Sequence, residues 1–271
     1  MTEHDWASVA DPARRVGRRV EFHAAIGSTN DRARAALASA DADADGLVVV
    51  ADLQTAGRGR RGRAWESPSG ANLMASVALR PRLAARDAGL LGIVAALAVR
   101  DAAASMLPDD ALRVKWPNDV VTEDGRKAAG LLVETAIRGQ ELAEAVIGMG
   151  INVNWPAAEM PAELQGRATS LCDLAGGPID RVELLRRLLD ALAAELQGLE
   201  RGASPVERLA RVSALDGRQI VVDIGDGRVE GIAAGVSADG QLILAGAAGA
   251  TTIAVGEVVS VRDAERVGAG S

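Results

Sequence analysis

Residues 111–154 read ALRVKWPNDVVTEDGRKAAGLLVETAIRGQELAEAVIGMGINVN, and this stretch decides the centre of the fold. Three apolar runs rich in valine, leucine and isoleucine are separated by TEDG at 122–125 and RGQ at 138–140, both short turn sequences. Connections this short leave no room for crossover helices. The spacing therefore predicts an antiparallel meander of three strands over 111–121, 126–137 and 141–154.

Working outward toward the N-terminus, residues 19–25 read as a strand, and GSTNDRARAALASA at 27–40 offers Ser28 or Thr29 as the N-cap of an alanine-rich helix. The DADAD run at 41–45 reads as a solvated loop, and GLVVVADLQ at 46–54 as a buried strand. NLMASVALRP at 72–81 reads as an alternating strand closed by Pro81, and residues 86–107 as a half-buried helix. Toward the C-terminus, Asp180 and Glu183 resemble a capping box before a stripe of Val182, Leu185, Leu189, Leu192 and Leu196. Ser204–Pro205 starts a further short helix. From about residue 215 five short strands separated by glycine-bearing turns predict a small barrel, with a domain boundary near 214.

Composition narrows the function classes. The chain has 271 residues, 48% of them hydrophobic, and a formal net charge of -7, so its overall field repels nucleic acid and anionic membranes. Any anion site must be local. A single cysteine, Cys172, fits a packing role in a reducing compartment and excludes an intrachain disulfide framework. The N-terminal residues carry no signal-peptide apolar segment, and the apolar run at 88–99 is too short to span a bilayer, which predicts a soluble cytoplasmic protein.

The local charge lies in AGRGRRGRAWESPSGAN at 56–72, where Arg58, Arg60, Arg61 and Arg63 are interleaved with Gly57, Gly59 and Gly62. Glycines let backbone N–H groups line an anion cradle, and guanidinium forks pair bidentately with phosphate or carboxylate. The alternatives are a solvated basic loop or a nucleic-acid patch, the latter weakened by the acidic chain, with four Trp, one Phe and no Tyr to stack bases. In KWPND, Lys115, Asn118 and Asp119 converge at a proline-marked turn and suit ATP phosphates with their Mg²⁺, or form a turn alone. Lys127 reads as a ligand cation or as surface charge. Gly130, Gly148 and Gly150 leave strand surface open to a ligand or to tight packing.

Taken together, GSTN at 27–30, Gln54, GRGRRGRAW at 57–65, KWPND, GRKAAGLLVE at 125–134, GMGINVN at 148–154 and ATSL at 168–171 resemble the biotin protein ligase family in order and spacing. The resemblance covers about residues 20–265. It implies an α+β catalytic domain, 1–214, related to class II aminoacyl-tRNA synthetases and lipoate ligases, and an SH3-like barrel, 215–271. It also implies a monofunctional ligase without the N-terminal DNA-binding domain of bifunctional members, since about twenty residues precede the first strand. The implied substrates are biotin, ATP with Mg²⁺, and a lysine of a biotin carboxyl carrier domain of a carboxylase. No specific nucleic acid or membrane partner is expected, and the assembly is expected to be a monomer or weak homodimer. A lipoate or octanoate ligase is the alternative.

By the same resemblance Arg60 and Lys127 bridge the biotin carboxylate and the α-phosphate, Arg58 covers biotin, and Lys115 meets the phosphates. Ser28, Thr29, Asn30 and Gln54 address the ureido ring; Gly57 and Gly59 belong to the same biotin loop; Gly130, Leu132 and Gly148 line the apolar part. Trp65 stacks on adenine, Asn72, Asn118, Asp119 and Asn152 assist the nucleotide, and no residue is directly assigned to the Mg²⁺ that comes with ATP, which is expected near Asp119. The loop 57–72 is expected to be mobile when empty and to close as a lid over the biotinyl-adenylate.

Overall fold

A computed structural model describes residues 3–39, 42–246 and 249–262, so Asp41 of the predicted loop and the end of the predicted barrel domain lie outside the described residues. After a short helix α1 (Glu3–Ala7), strand β1 (Arg19–His23) leads into helix α2 (Thr29–Ala38). Ser28 is its N-cap, in extended backbone, with its hydroxyl accepting from the Asp31 N–H at 3.4 Å. Strands β2 (Leu47–Ala51) and β3 (Leu73–Leu79) follow, then helix α3 (Ala88–Ala104).

The predicted alternation in β3 is corrected: all seven of its residues are buried. Leu73, Ala75, Val77 and Leu79 pack with the leucines of α3, while Ala78 on the opposite face joins Ala33, Ala36 and Leu37 of α2. A sheet covered on both faces has no solvent side for polar residues to mark. Helix α3 is likewise more buried than predicted, with eleven of its seventeen residues inside.

The predicted first strand of the meander is two strands, β4 (Leu112–Lys115) and β5 (Asp119–Thr122), folded on each other at Trp116–Pro117–Asn118. Pro117 has no N–H for a ladder, and Asn118 binds the neighbouring strand instead, donating from Nδ2 to Leu131 O at 2.6 Å and accepting from Leu131 N at 2.9 Å. The hairpin sets Lys115 opposite Asp119. Strands β6 (Lys127–Arg138) and β7 (Glu141–Ile151) complete a seven-stranded mixed sheet ordered β1-β2-β3-β7-β6-β5-β4, in which only β1 and β2 are parallel.

Helix α4 (Leu171–Ala175) carries the completed capping box, Ser170 with Asp173, whereas Asp180 only caps helix α5 (Arg181–Glu200), accepting from Val182 N and Glu183 N. Glu183 turns outward to Arg186 and Arg187. The predicted stripe of α5 is buried throughout and, with Leu184 and Leu188, packs on α3. At about 2 kcal/mol per buried leucine, this face rather than helix propensity holds α5 in place.

Helix α6 (Val206–Val212) precedes a second sheet of β8 (Gln219–Asp223), β9 (Arg228–Val236), β10 (Leu242–Gly246), β11 (Gly249–Ile253) and β12 (Glu257–Arg262). It is antiparallel, ordered β11-β10-β9-β8-β12. Trp116 from the β4–β5 turn enters the core of this sheet beside Leu215, Ile220 and Leu242, and its Nε1 donates to Gly240 O at 3.0 Å. That insertion brings the second sheet against the β4–β5 turn. No helix of the described residues is long and apolar enough to cross a membrane.

Candidate active site

A cavity of about 630 Å³ lies where α2, the β4–β5 turn, the glycine-bearing parts of β6 and β7, and the edge of β12 meet. Its floor is a buried polar network. Gln54 Oε1 accepts from Thr29 N at 2.8 Å and from Thr29 Oγ1 at 3.0 Å. The Ser76 hydroxyl lies 2.7 Å from Thr29 Oγ1 and 2.6 Å from Asn30 Oδ1, and Asn30 Nδ2 donates to Glu134 Oε2 at 2.8 Å. Gly148 makes room for Asn30: a Cβ there would fall on Oδ1 and lie 2.9 Å from Cγ.

The roof is the arginine stretch, folded as a small hairpin. Gly59 N donates to Arg63 O at 2.7 Å and Trp65 N to Gly57 O at 3.0 Å. Arg61 (φ 57) and Gly62 (φ 73) supply two consecutive left-handed residues at the tip. Gly57 has a packing reason, since a Cβ would meet Trp65 O at 2.7 Å. The Trp65 indole lies over the paired residues Gly130 and Gly150, where Cβ atoms would reach its ring at 2.9 and 2.5 Å. The Lys127 ammonium sits 5.5 Å from the indole centroid. The glycines therefore admit an aromatic side chain of this same chain.

Three hairpin arginines have carboxylate partners. Arg58 forks onto both oxygens of Asp31 at 2.7 and 2.6 Å, Arg61 reaches Asp223 at 3.4 Å and Glu257 at 3.6 Å, and Arg63 reaches Glu257 at 2.7 Å. Among the described residues Arg60 has no carboxylate within ion-pair distance and donates to Asn118 Oδ1 at 3.2 Å. Burial pulls its guanidinium below the ordinary arginine value, with Asp119 and Glu257 opposing. Burial likewise pushes the Lys115 ammonium below the usual lysine range, while Asp119 favours its charge. Lys115 donates to Val258 O at 3.3 Å, and Lys127 pairs with Asp119 Oδ1 at 2.6 Å.

Fifteen of the predicted site residues line this one cavity: Ser28, Thr29, Asn30, Gln54, Arg58, Gly59, Arg60, Trp65, Lys115, Asn118, Asp119, Lys127, Gly130, Leu132 and Gly148. Three do not. Gly57 closes the hairpin by accepting from Trp65 N. Asn72 is fully buried, accepting from Val153 N at 2.9 Å through Oδ1 and from Arg181 through its carbonyl. Asn152 donates to Lys127 O at 3.3 Å and Thr169 O at 3.0 Å, so it anchors the strand that carries Lys127. Asn72 Oδ1 and Asn152 Nδ2 thus bind backbone, while Asn72 Nδ2 is buried without a hydrogen-bond partner among the described residues.

Sequence reasoning missed Asp31, Ser76, Glu134, Asp223 and Glu257. Ser76 alone left a signal, as the one hydroxyl in an otherwise apolar strand. The cavity wall carries six cationic side chains, Arg58, Arg60, Arg63, Lys115, Lys127 and Arg167, against the four acids Asp119, Asp124, Glu163 and Glu257. In a chain of net charge -7 this is a local cationic site, suited to an anionic ligand. Among the described residues no group of three or more His, Cys, Asp or Glu side chains is placed to hold a metal.

Residues 23–152 match the model of the biotin/lipoate A/B protein ligase family. The biotin--[acetyl-CoA-carboxylase] ligase of Mycobacterium tuberculosis is 35% identical over 252 residues, 90% of each chain. The bifunctional ligase/repressor BirA of Bacillus subtilis is 33% identical over 234 residues, covering 84% of this chain and 70% of that protein. The structure of the Aquifex aeolicus biotin protein ligase in complex with biotin and ATP is 28% identical, with a TM-score of 0.75 over 90% of this chain and 99% of that one. A match of this identity along nearly whole chains, on a cavity built from the motif residues, means that the chain belongs to the biotin protein ligases of the biotin/lipoate A/B protein ligase family.

Proposed function

We propose that the chain activates biotin with ATP and transfers it to a lysine of a biotin carboxyl carrier domain. The observation that supports this most directly is the cationic cavity under the arginine hairpin, in which Arg60 faces inward with no carboxylate partner among the described residues. In the first step a biotin carboxylate oxygen attacks the α-phosphorus of ATP and pyrophosphate leaves. In the second the acceptor lysine amine attacks the acyl carbon of biotinyl-5′-AMP, and AMP leaves with the bonding pair while the amine loses its proton.

The first step brings two anions together, and like unit charges at about 4 Å repel by about 4 kcal/mol at an effective dielectric of about 20. Arg60 and Lys127 are assigned to offset that repulsion, and Lys115, desolvated by burial with Asp119 favouring its charge, to the phosphates. Thr29, Asn30 and Gln54, with the Ser28 cap, are assigned to the ureido ring, which both donates and accepts hydrogen bonds. Leu132 is assigned to the apolar bicycle and chain, with Arg58 and Gly59 above it, and Gly130 and Gly148 to making room for the Trp65 indole and the Asn30 amide beside it. Trp65, which lines the cavity, is assigned to adenine. An Mg²⁺ ion bound with ATP would supply further neutralisation of phosphate charge. Asp119 suits one contact to such an ion, since Mg²⁺ commonly takes one or two carboxylates together with phosphates and waters.

The same reading assigns residues 1–214 to a class II synthetase-like catalytic unit and 215–271 to an SH3-like unit, and places no sequence-specific nucleic acid among the partners. The test is mass spectrometry of a carrier domain incubated with the protein, ATP, Mg²⁺ and biotin, against parallel arms with lipoate and octanoate. The expected result is a mass increase of one biotin and none of the other acyl groups. Modification by lipoate or octanoate alone would overturn the assignment.

A further inference from the structure

The four hairpin arginines do different things. Arg61 and Arg63 lean on carboxylates of the second sheet, Arg60 turns to Asn118, and Arg58 forks onto Asp31 with two short bonds of 2.7 and 2.6 Å. Asp31 stands in the first turn of α2, directly after Thr29 and Asn30, two members of the polar network that forms the floor of the cavity. It also accepts from Arg34 at 3.0 Å, and Arg34 pairs at 2.5 Å with Glu134, the acceptor of the Asn30 amide. One helical turn thus holds the floor with its buried side chains and the roof with its exposed one.

We propose that Asp31 is a positioning residue, latching the arginine hairpin to the first turn of α2 so that Arg60 and Trp65 are presented over the floor of the site. The inference rests on the ligase reading of the cavity. A bidentate guanidinium–carboxylate pair fixes direction as well as distance, which a single contact does not. Arg63 in turn pairs with Glu257 of β12, so the hairpin is tied to α2 through one residue and to the second sheet through another. The Asp31 side chain is 46% exposed, so its replacement leaves no buried unpaired charge.

The test compares the full chain with D31N and D31E, reading pyrophosphate exchange at varied biotin and ATP, labelling of bystander lysines, and hydrogen exchange over residues 57–65. The expected result for D31N is KM and bystander labelling raised by about two- to fivefold, the range for an exposed ion pair, with a smaller change in kcat. D31E restores the wild-type values, and high salt narrows the difference between D31N and wild type. Wild-type kinetics and wild-type hydrogen exchange in D31N overturn the proposal. So does a lowered KM for biotin, which would mean that Asp31 competes with the ligand for Arg58. If the wild-type chain shows no biotin-dependent exchange, the ligase reading falls instead. The latch then stands or falls on whether D31N speeds hydrogen exchange at 57–65.

Discussion

Gly148→Ala tests the floor of the site. The added Cβ would land on Asn30 Oδ1 and 2.9 Å from its Cγ. Asn30 cannot step aside cheaply, because its amide is bound by Ser76 at 2.6 Å and by Glu134 at 2.8 Å, and the residue is 5% exposed. Overpacking of this kind costs about 1–3 kcal/mol, and a buried amide that loses its partner costs about as much again. If the backbone absorbs the clash, the melting temperature falls by about 2–4 °C per kcal/mol. If Asn30 swings away, the ureido contacts go with it, and KM for biotin rises by about tenfold per 1.4 kcal/mol. Pyrophosphate exchange at varied biotin, together with a thermal melt, reads both terms. Gly177→Ala is the matched control, since nothing lies within 4 Å of a Cβ at that position. A Gly148→Ala variant with wild-type KM and wild-type melting temperature would refute the claim that Asn30 is held fixed in a functional network.

Lys127→Ala should depress pyrophosphate exchange by at least about tenfold while moving the melting temperature little, because Lys127 contributes charge beside Asp119 rather than core; near wild-type exchange would remove it from the mechanism. Lys115→Met should raise the melting temperature by about 2–4 °C, by relieving the burial of an ammonium with one hydrogen bond to Val258 O, and should slow adenylate formation; a less stable variant contradicts this. Arg60→Gly should weaken retention of biotinyl-AMP and raise labelling of bystander lysines, measured by mass spectrometry of added serum albumin, and unchanged labelling would end the lid role of the hairpin. The hydrogen bonds from Arg58 hold the Asp31 carboxyl below its usual value, so the stabilisation from this pair is fully present above the ordinary carboxylate pKa. It is lost as the pH falls through the lowered value, below about 4, and hydrogen exchange at 57–65 that rises already between about pH 7 and 5 would contradict it.

Much of this molecule is written locally. The Ser28 cap, the α5 stripe and the short strands after residue 215 follow from spacing over a few residues, because helix and strand periods and cap hydrogen bonds act within one or two turns. The cavity residues were also legible, since glycines, cations and amides are grouped in short motifs. Tertiary structure decided what those groups do. Burial on both faces hid the polarity pattern of β3, and a bond from Asn118 to the neighbouring strand helped to split β4 from β5. Asn72 and Asn152 carry ligand-type side chains, yet backbone partners elsewhere in the chain use them. The arginine hairpin shows the limit most clearly: its sequence declares four cations, but Asp31 lies 27 residues before Arg58, and Asp223 162 residues after Arg61. Charge is a property of a residue, whereas pairing depends on which distant carboxylate the folded chain brings within about 4 Å, and no local pattern encodes that distance.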